Sequence, residues 1–314
     1  MRFAVATVII ALAAIITSAQ TPPPTLHIVP DGPDLPADLF YGTIKVKPLR
    51  LRPGTVTPIT INDADFFVSQ QYVDFLSRMP DQSGFNFWTG EITGCGANAA
   101  CTELKRINVS GAFFLSIEFQ DTGYLVYRFH KAAFGDLSGK PVPLRREKFI
   151  PDSRSISNGV VVGAAGWQQV LETNKQNFAL AFVQRPEFQT AFPGTMSAAQ
   201  FVDTLDANAG RVLSSTDTAN LVGILGGTPS DPAKRASVVR SVAENSNLQQ
   251  REFNKAFVLM QYFGYLKRNP DEGNDTDFSG YNFWLGKLNQ FGGNFVNAEM
   301  VKAFILSAEY NQRF

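Results

Sequence analysis

Histidine is nearly missing from this chain, with only His27 and His130 among 314 residues. A histidine-rich metal site is thereby excluded, and a Ser-His-Asp arrangement would have to be built on His130 alone. Net charge is missing as well. The 28 basic residues balance 28 acidic ones, so no global field attracts a polyanion and nucleic acid is not an expected partner. Long apolar stretches are confined to one place, from Phe3 to Ile16 behind Met1 and Arg2. That run falls short of the ~20 residues needed to cross a bilayer. Followed by Thr17, Ser18 and Ala19, it reads as a signal peptide covering residues 1–19. The mature chain is then expected to be secreted, periplasmic or extracellular, with no transmembrane segment. No phosphate-cradling loop, nucleophile motif or dinucleotide fingerprint occurs.

Cysteine is scarce too, but the two present are informative in an exported chain. Cys95 and Cys101 bracket a loop of Gly, Ala and Asn residues, and an oxidising compartment favours their pairing into a local disulfide. Closing so short a loop pins the loop more than it stabilises the fold. By contrast phenylalanine is abundant, 27 against 3 Trp, so phenyl rings fill the core of what reads as a globular protein.

Residues 20–61 are rich in proline and cannot be helical. They read as an extended linker with a short strand around 42–51. There Lys45 and Lys47, and Arg50 and Arg52, fall two apart and share a face of an extended backbone. The sharper reading of those cations is a dock for an anionic wall polymer. The plainer one is a solvated face.

Three later stretches end alike, in a Phe, four variable residues, a Glu and an aromatic: Phe113 to Phe119, Phe182 to Phe188, and Phe304 to Tyr310. Each follows one of the tryptophans, Trp88, Trp167 and Trp284. Such an internal repeat points to a shared packing problem rather than to an activity. The first and last copies align closely, from Tyr72, Arg78 and Asp81 to Tyr262, Arg268 and Asp271. The middle copy is worn, with His130 at the Tyr72 position. A weaker fourth echo runs from Phe201 and Val202 to Val242 and Glu244.

The periodicity is helical. Val68, Tyr72, Phe75 and Leu76 form one amphipathic stripe of a helix over 64–78, capped by Asn62 or Asp63. Asp81 or Ser83 caps a second helix carrying Phe85, Trp88 and Ile92. A third is expected over about 102–120. The architecture this implies is all-α, tandem three-helix modules packed together: module 1 over 62–123, a degenerate module 2 over 124–195, a helical connector or fourth degenerate copy over 196–250, and module 3 over 251–314.

The string Tyr72, Leu76, Arg78, Pro80, Asp81, Gly84, Phe87, Trp88, then Phe113, Ser116, Glu118 and Phe119, resembles the bacterial domain of unknown function 4214 family. The last copy resembles it through Arg268, Pro270, Asp271, Gly280, Phe283, Trp284, Phe304, Ser307, Glu309 and Tyr310. The resemblance implies an all-helical extracellular module without an established activity. Departures are Ser77 and Lys267, where the family's turn has Gly, and Asp136 where module 2 lacks the turn Arg.

Two constellations invite sharper readings. The recurring Glu118, Glu187 and Glu309 suggest acid–base catalysis, but a carboxylate at the same point of each module reads better as a polar anchor for the turn Arg. In module 2 that cation is expected to have moved to Arg185, facing Glu187. The loop from Asp271 to Asp277 has carboxylates Asp271, Asp275 and Asp277, yet lacks the glycine and the bidentate Glu of an EF-hand. A loose calcium site is the alternative to an ordinary acidic loop.

No catalytic residue and no cofactor is therefore expected. The expected function is non-catalytic binding or scaffolding at an envelope or extracellular partner, glycan or protein. The rival is a secreted hydrolase using Glu and Asp, which would set two carboxylates ~5 to 10 Å apart across a cleft. A glycan binder would instead expose aromatics such as Phe85, Phe87 or Tyr281.

Overall fold

The computed structural model describes residues 26–30, 37–47 and 50–314. The expected signal peptide lies outside them. Most of what is described is helical: α1 (Ala64–Gln71), α2 (Gln82–Thr93), α3 (Ala99–Leu115), α4 (Ile117–Asp121), α5 (Gly123–Phe134), α6 (Arg146–Ser157), α7 (Trp167–Val183) and α8 (Pro186–Ala191). They are followed by α9 (Ala198–Ala209), α10 (Ser215–Leu225), α11 (Pro232–Ala243), α12 (Ser246–Gln261), α13 (Ser279–Gln290), α14 (Met300–Leu306) and α15 (Ala308–Asn311). Among the described residues no helix is long and apolar enough to cross a membrane.

The proline-rich segment is more than a linker. β1 (Leu26–Pro30), β2 (Ala37–Tyr41) and β3 (Ile44–Val46) form an antiparallel meander in the order β1-β2-β3. Leu39 pairs with both Ile28 and Val46. Pro30 ends β1, which lies at the edge of the sheet, a position that tolerates proline. Gly42, at φ 59°, supplies the left-handed residue of the tight turn between β2 and β3. Of the four cations weighed as a dock for an anionic polymer, three are engaged within the chain. Lys45 pairs with Asp38, Arg52 with Asp63 and Asp65, and Arg50 lies over the Phe66 ring.

Two local departures from a simple helical reading recur. The first helix of module 1 does not run on to Arg78: after Gln71 it widens into a π-turn, Tyr72–Leu76, and stops at Ser77, φ 53°. In module 3 α12 widens likewise over Tyr262–Leu266 and stops at Lys267, φ 56°. A non-glycine residue in the left-handed region carries strain that the surroundings must hold in place. The helix expected over 102–120 is broken as well. Ser116 leaves helical geometry at ψ 145° and its side chain caps α4 by accepting from the Phe119 N–H. Ser307 does the same for Tyr310 in module 3.

Those π-turns meet. The Phe75 and Tyr265 rings cross at 5.1 Å, and Tyr265 donates to Gln71 at 3.0 Å. Gly264 is required at that crossing, because a Cβ there would lie 2.8 Å from the Phe75 ring. Asp74, fully buried, receives both Arg313 guanidinium nitrogens at 2.8 Å and Lys267 at 2.8 Å. Burial opposes its ionisation, but Arg313 and Lys267 outweigh burial and hold the carboxyl below its usual value. The first and last modules are thus clasped together through a charge cluster closed over by protein.

Residues 124–250 form the other half of the core. α5 packs against α9 and α11, and α7 against α11, with Phe188 and Phe192 on Phe201. The segment 196–250 is thus more than a connector. It supplies α9, α10, α11 and the first turn of α12, which Asn245 caps by accepting from Leu248 N–H. The halves join where Tyr124 meets Phe114 and Phe253, and where Tyr127 donates to the buried Glu252.

Candidate functional site

The recurring residues assemble the same cluster at both ends of the chain. In module 1 the Tyr72 ring stands edge-on to Phe113 at 4.7 Å, and Trp88 leans on Phe113 at 5.9 Å. In module 3 Tyr262 meets Phe304 at 5.1 Å and Trp284 meets it at 5.9 Å. The turn Arg lies over the tyrosine ring in each, Arg78 at 4.9 Å and Arg268 at 5.4 Å.

From there each guanidinium reaches its glutamate in a forked pair. Arg78 meets Glu118 at 2.7 and 2.8 Å, and Arg268 meets Glu309 at 2.5 and 3.0 Å. Such bidentate pairs fix orientation as well as charge. Since the Glu sits in the short helix begun by the Ser cap, the pair ties the end of the module to its first turn.

Gly84 and Gly280 follow from the tyrosine. A Cβ at Gly84 would lie 2.1 Å from the Tyr72 hydroxyl oxygen, and one at Gly280 2.8 Å from that of Tyr262. Burial, with Asp81 second, pushes the Tyr72 hydroxyl up to about 12, while a hydrogen bond from Trp88 works the other way. Asp81 caps α2 by accepting from Gly84 N–H at 2.8 Å and stands 3.4 Å from Arg78. Burial acts to raise its carboxyl, yet Gly84, Ser83 and Arg78 together hold it below the usual range.

In module 3 the corresponding acid is Asp275 rather than Asp271. Asp275 meets Arg268 at 2.7 Å, whereas Asp271 turns away to Lys140 and Arg145. Asp277 accepts from Ser279 N–H. The three carboxylates proposed for calcium thus serve three different partners. No group of three metal-binding side chains occurs among the described residues.

Module 2 solves the same problem with other residues. Trp167 is no counterpart of Trp88, because it opens the third helix α7, half-buried, instead of lying on the second. Counted from the caps of α2 and α6, Asp81 and Arg145, the Trp88 position is held by Asp152. His130, at the Tyr72 position, bonds Asp152 at 2.8 Å and packs on Phe182 at 5.2 Å. Arg185 does take over as the cation, but its partner is Asp152, at 2.8 and 2.6 Å. Glu187 lies exposed against Lys148. The expectation of an Arg185–Glu187 pair is therefore wrong. Asp152 arrives from α6 and is the acid already buried beside the cation.

Around the module 1 cluster lies a cavity of about 240 Å3, lined by Tyr72, Arg78, Asp81, Trp88, Phe113 and Glu118 among others. Asp81 and Glu118 both reach it, but Arg78 contacts both. A general acid at neutral pH needs a carboxyl kept protonated, and Asp81 is held below the usual range, while both Glu118 oxygens are taken up by the Arg78 fork. Of the aromatics named for exposure, Tyr281 is fully buried and donates to the Lys255 carbonyl, and Phe85 is half-buried. Phe87 is 59% exposed, and so is its counterpart Phe283, at 60%. Cys95 and Cys101 lie at disulfide distance, Cα atoms 5.6 Å apart, tying the loop after α2 to the first turn of α3.

Comparison with protein-family models, with curated proteins and with solved structures found no match.

Proposed function

We propose that this chain is an exported, non-catalytic binding or scaffolding protein of the cell surface or extracellular space, built from modules of the family it resembles. The observation that carries the reading is the closure of the recurring charges. Glu118 and Glu309 each meet a forked arginine, which ties helices together and commits both carboxylates to holding the fold. What those clusters leave outward is aromatic, Phe87 and Phe283, beside polar groups that carry hydrogen bonds. That combination suits an uncharged glycan of the envelope better than a charged polymer. The apolar run at Phe3 to Ile16 and the paired cysteines support export.

Two measurements test this. Sequencing the N-terminus of protein recovered outside the cells is expected to read from Gln20, and full-length protein retained inside would remove the export step. Incubating the chain from Gln20 onward with envelope polysaccharide is expected to retain the protein on the polymer and release no reducing ends. Release that disappears in Glu118→Gln would replace binding by hydrolysis.

A further inference from the structure

We infer that the chain is bivalent: modules 1 and 3 each carry one copy of the same docking site for a repeating, uncharged saccharide polymer, and residues 124–250 carry none. This rests on the glycan reading above and adds to it number, place and consequence.

The argument comes from side chains that packing leaves unexplained. Phe87 stands edge-on to Trp88 at 4.8 Å and 74°, and Phe283 stands on Trp284 at 5.0 Å and 77°. Each ring is thus held in a fixed orientation with more than half its surface in solvent. A second outward residue recurs as well. Leu115, 46% exposed, and Leu306, 51% exposed, each sit between the buried Phe and the Ser cap. Scattered exposed apolar residues need no explanation, but two kinds of position matched in two copies do.

The middle of the chain supplies the control. Phe283 matches Phe87 through the flanking Gly280 and Trp284, the cap of α13 being Phe278; Phe87 itself lies six residues past the cap of α2, and six past the caps of α6 and α10 stand Pro151 and Asn220. The Leu115 position, counted from the next cap, is Gln184 and Glu244. Meanwhile the inward aromatics persist: Phe182, Phe188 and Phe201 are all at 0% exposure. The core pattern is kept in all these segments, and the outward apolar pair only at the two ends. The outward pair accompanies the tryptophans of the two end modules, and the exposed face of each ring, which no packing uses, is what a ligand would meet.

The ligand's chemistry follows from what the sites lack. Arg78 and Arg268 are each closed by a glutamate and a second acid, Asp81 or Asp275, so neither end offers an unneutralised cation to an anionic group. The chain as a whole carries no net charge. Two equal sites on one body match a partner that presents equal units in series, which a polysaccharide does. Engaging two units at once raises apparent affinity by about a hundredfold or more and lets one molecule bridge two strands.

The test uses the chain from Gln20 onward and proteinase-treated envelope polysaccharide from the producing cells, with the parent, Phe87→Ala, Phe283→Ala and the double variant. These phenyls lie at the surface, so equal melting temperatures confirm that the variants are folded. The parent is expected to precipitate the polymer. Each single variant is expected to bind it about a hundredfold more weakly and without precipitation, and the double variant to lose binding. Binding that either single substitution abolishes, or that survives both, overturns bivalency while leaving the glycan reading in place. No binding by the parent sinks the glycan reading itself. Self-association of the parent without polymer, removed by either substitution, would reassign the outward rings to a contact between copies.

Discussion

Modules 1 and 3 carry the polar lock in one way and module 2 in another, and the difference separates what folding demands from what it tolerates. At both ends a tyrosine, a tryptophan and a forked Arg–Glu pair hold the turn. In the middle, His130, Asp152 and Arg185 fill the same space with a different hydrogen-bonding set. The phenyl core beneath is common to both. The lock therefore works by geometry and charge closure, and the identity of its residues is free to change as long as each buried charge finds a partner.

Several substitutions sharpen or break that comparison. The largest effect is expected at the clasp between the end modules. Asp74→Ala strands Arg313 and Lys267 beside a closed core and should cost about 3–5 kcal/mol, the scale for halving a buried ion pair, read from urea unfolding. Next comes the contrast between recurring glutamates. Glu118→Ala should cost about 2–3 kcal/mol by leaving Arg78 half-buried without its fork. Glu187→Ala, which removes an exposed partner of Lys148, should stay within about 0.5 kcal/mol. Equal losses at the two would mean that module 2 uses the same lock after all.

On α2 two glycines should respond with opposite signs. Gly84→Ala drives a methyl into the Tyr72 hydroxyl and should destabilise by about 1–3 kcal/mol. Gly90→Ala, exposed and with open space at its Cβ, should stabilise by about 0.5–1 kcal/mol through the unfolded chain. A thermal melt of each variant decides.

The smallest effect is in acid. Asp74 and Asp152 both have carboxyls held below the usual 3.8 in the folded chain, so the unfolded chain takes up protons first as pH falls. Their contribution is complete above about pH 4 and lost below it. Unfolding midpoints measured from pH 7 downward should fall below that point, less steeply in Asp74→Asn.

Much of this was legible from spacing alone. Helical stripes show wherever Val68, Tyr72 and Leu76 recur, and Arg78 and Glu118 stand out because both return in the last copy. The π-turns were hidden, since widening a helix by one residue leaves the apolar stripe nearly unchanged and shows only in the left-handed Ser77 and Lys267. Asp152 was missed because it replaces a tryptophan, which no match of residue types detects. Asp275 was missed because the alignment assigned its role to the acid right after Pro270, while the inserted loop folds the later one onto Arg268. The Asp74 clasp joins residues 239 positions apart, and no local pattern announces a partner at that distance. Of the meander only β3, inside the strand expected over 42–51, was legible, because the proline content of 20–61 reads as linker.

The central claim is that the recurring arginine and glutamate lock the fold, and a double-mutant cycle tests it most directly. Arg78→Met, Glu118→Gln and the pair together are compared by urea unfolding. A coupling of about 2 kcal/mol or more between them is predicted. Coupling below about 0.5 kcal/mol, with stability unchanged in Glu118→Gln, would contradict the claim and leave that carboxylate available for another role.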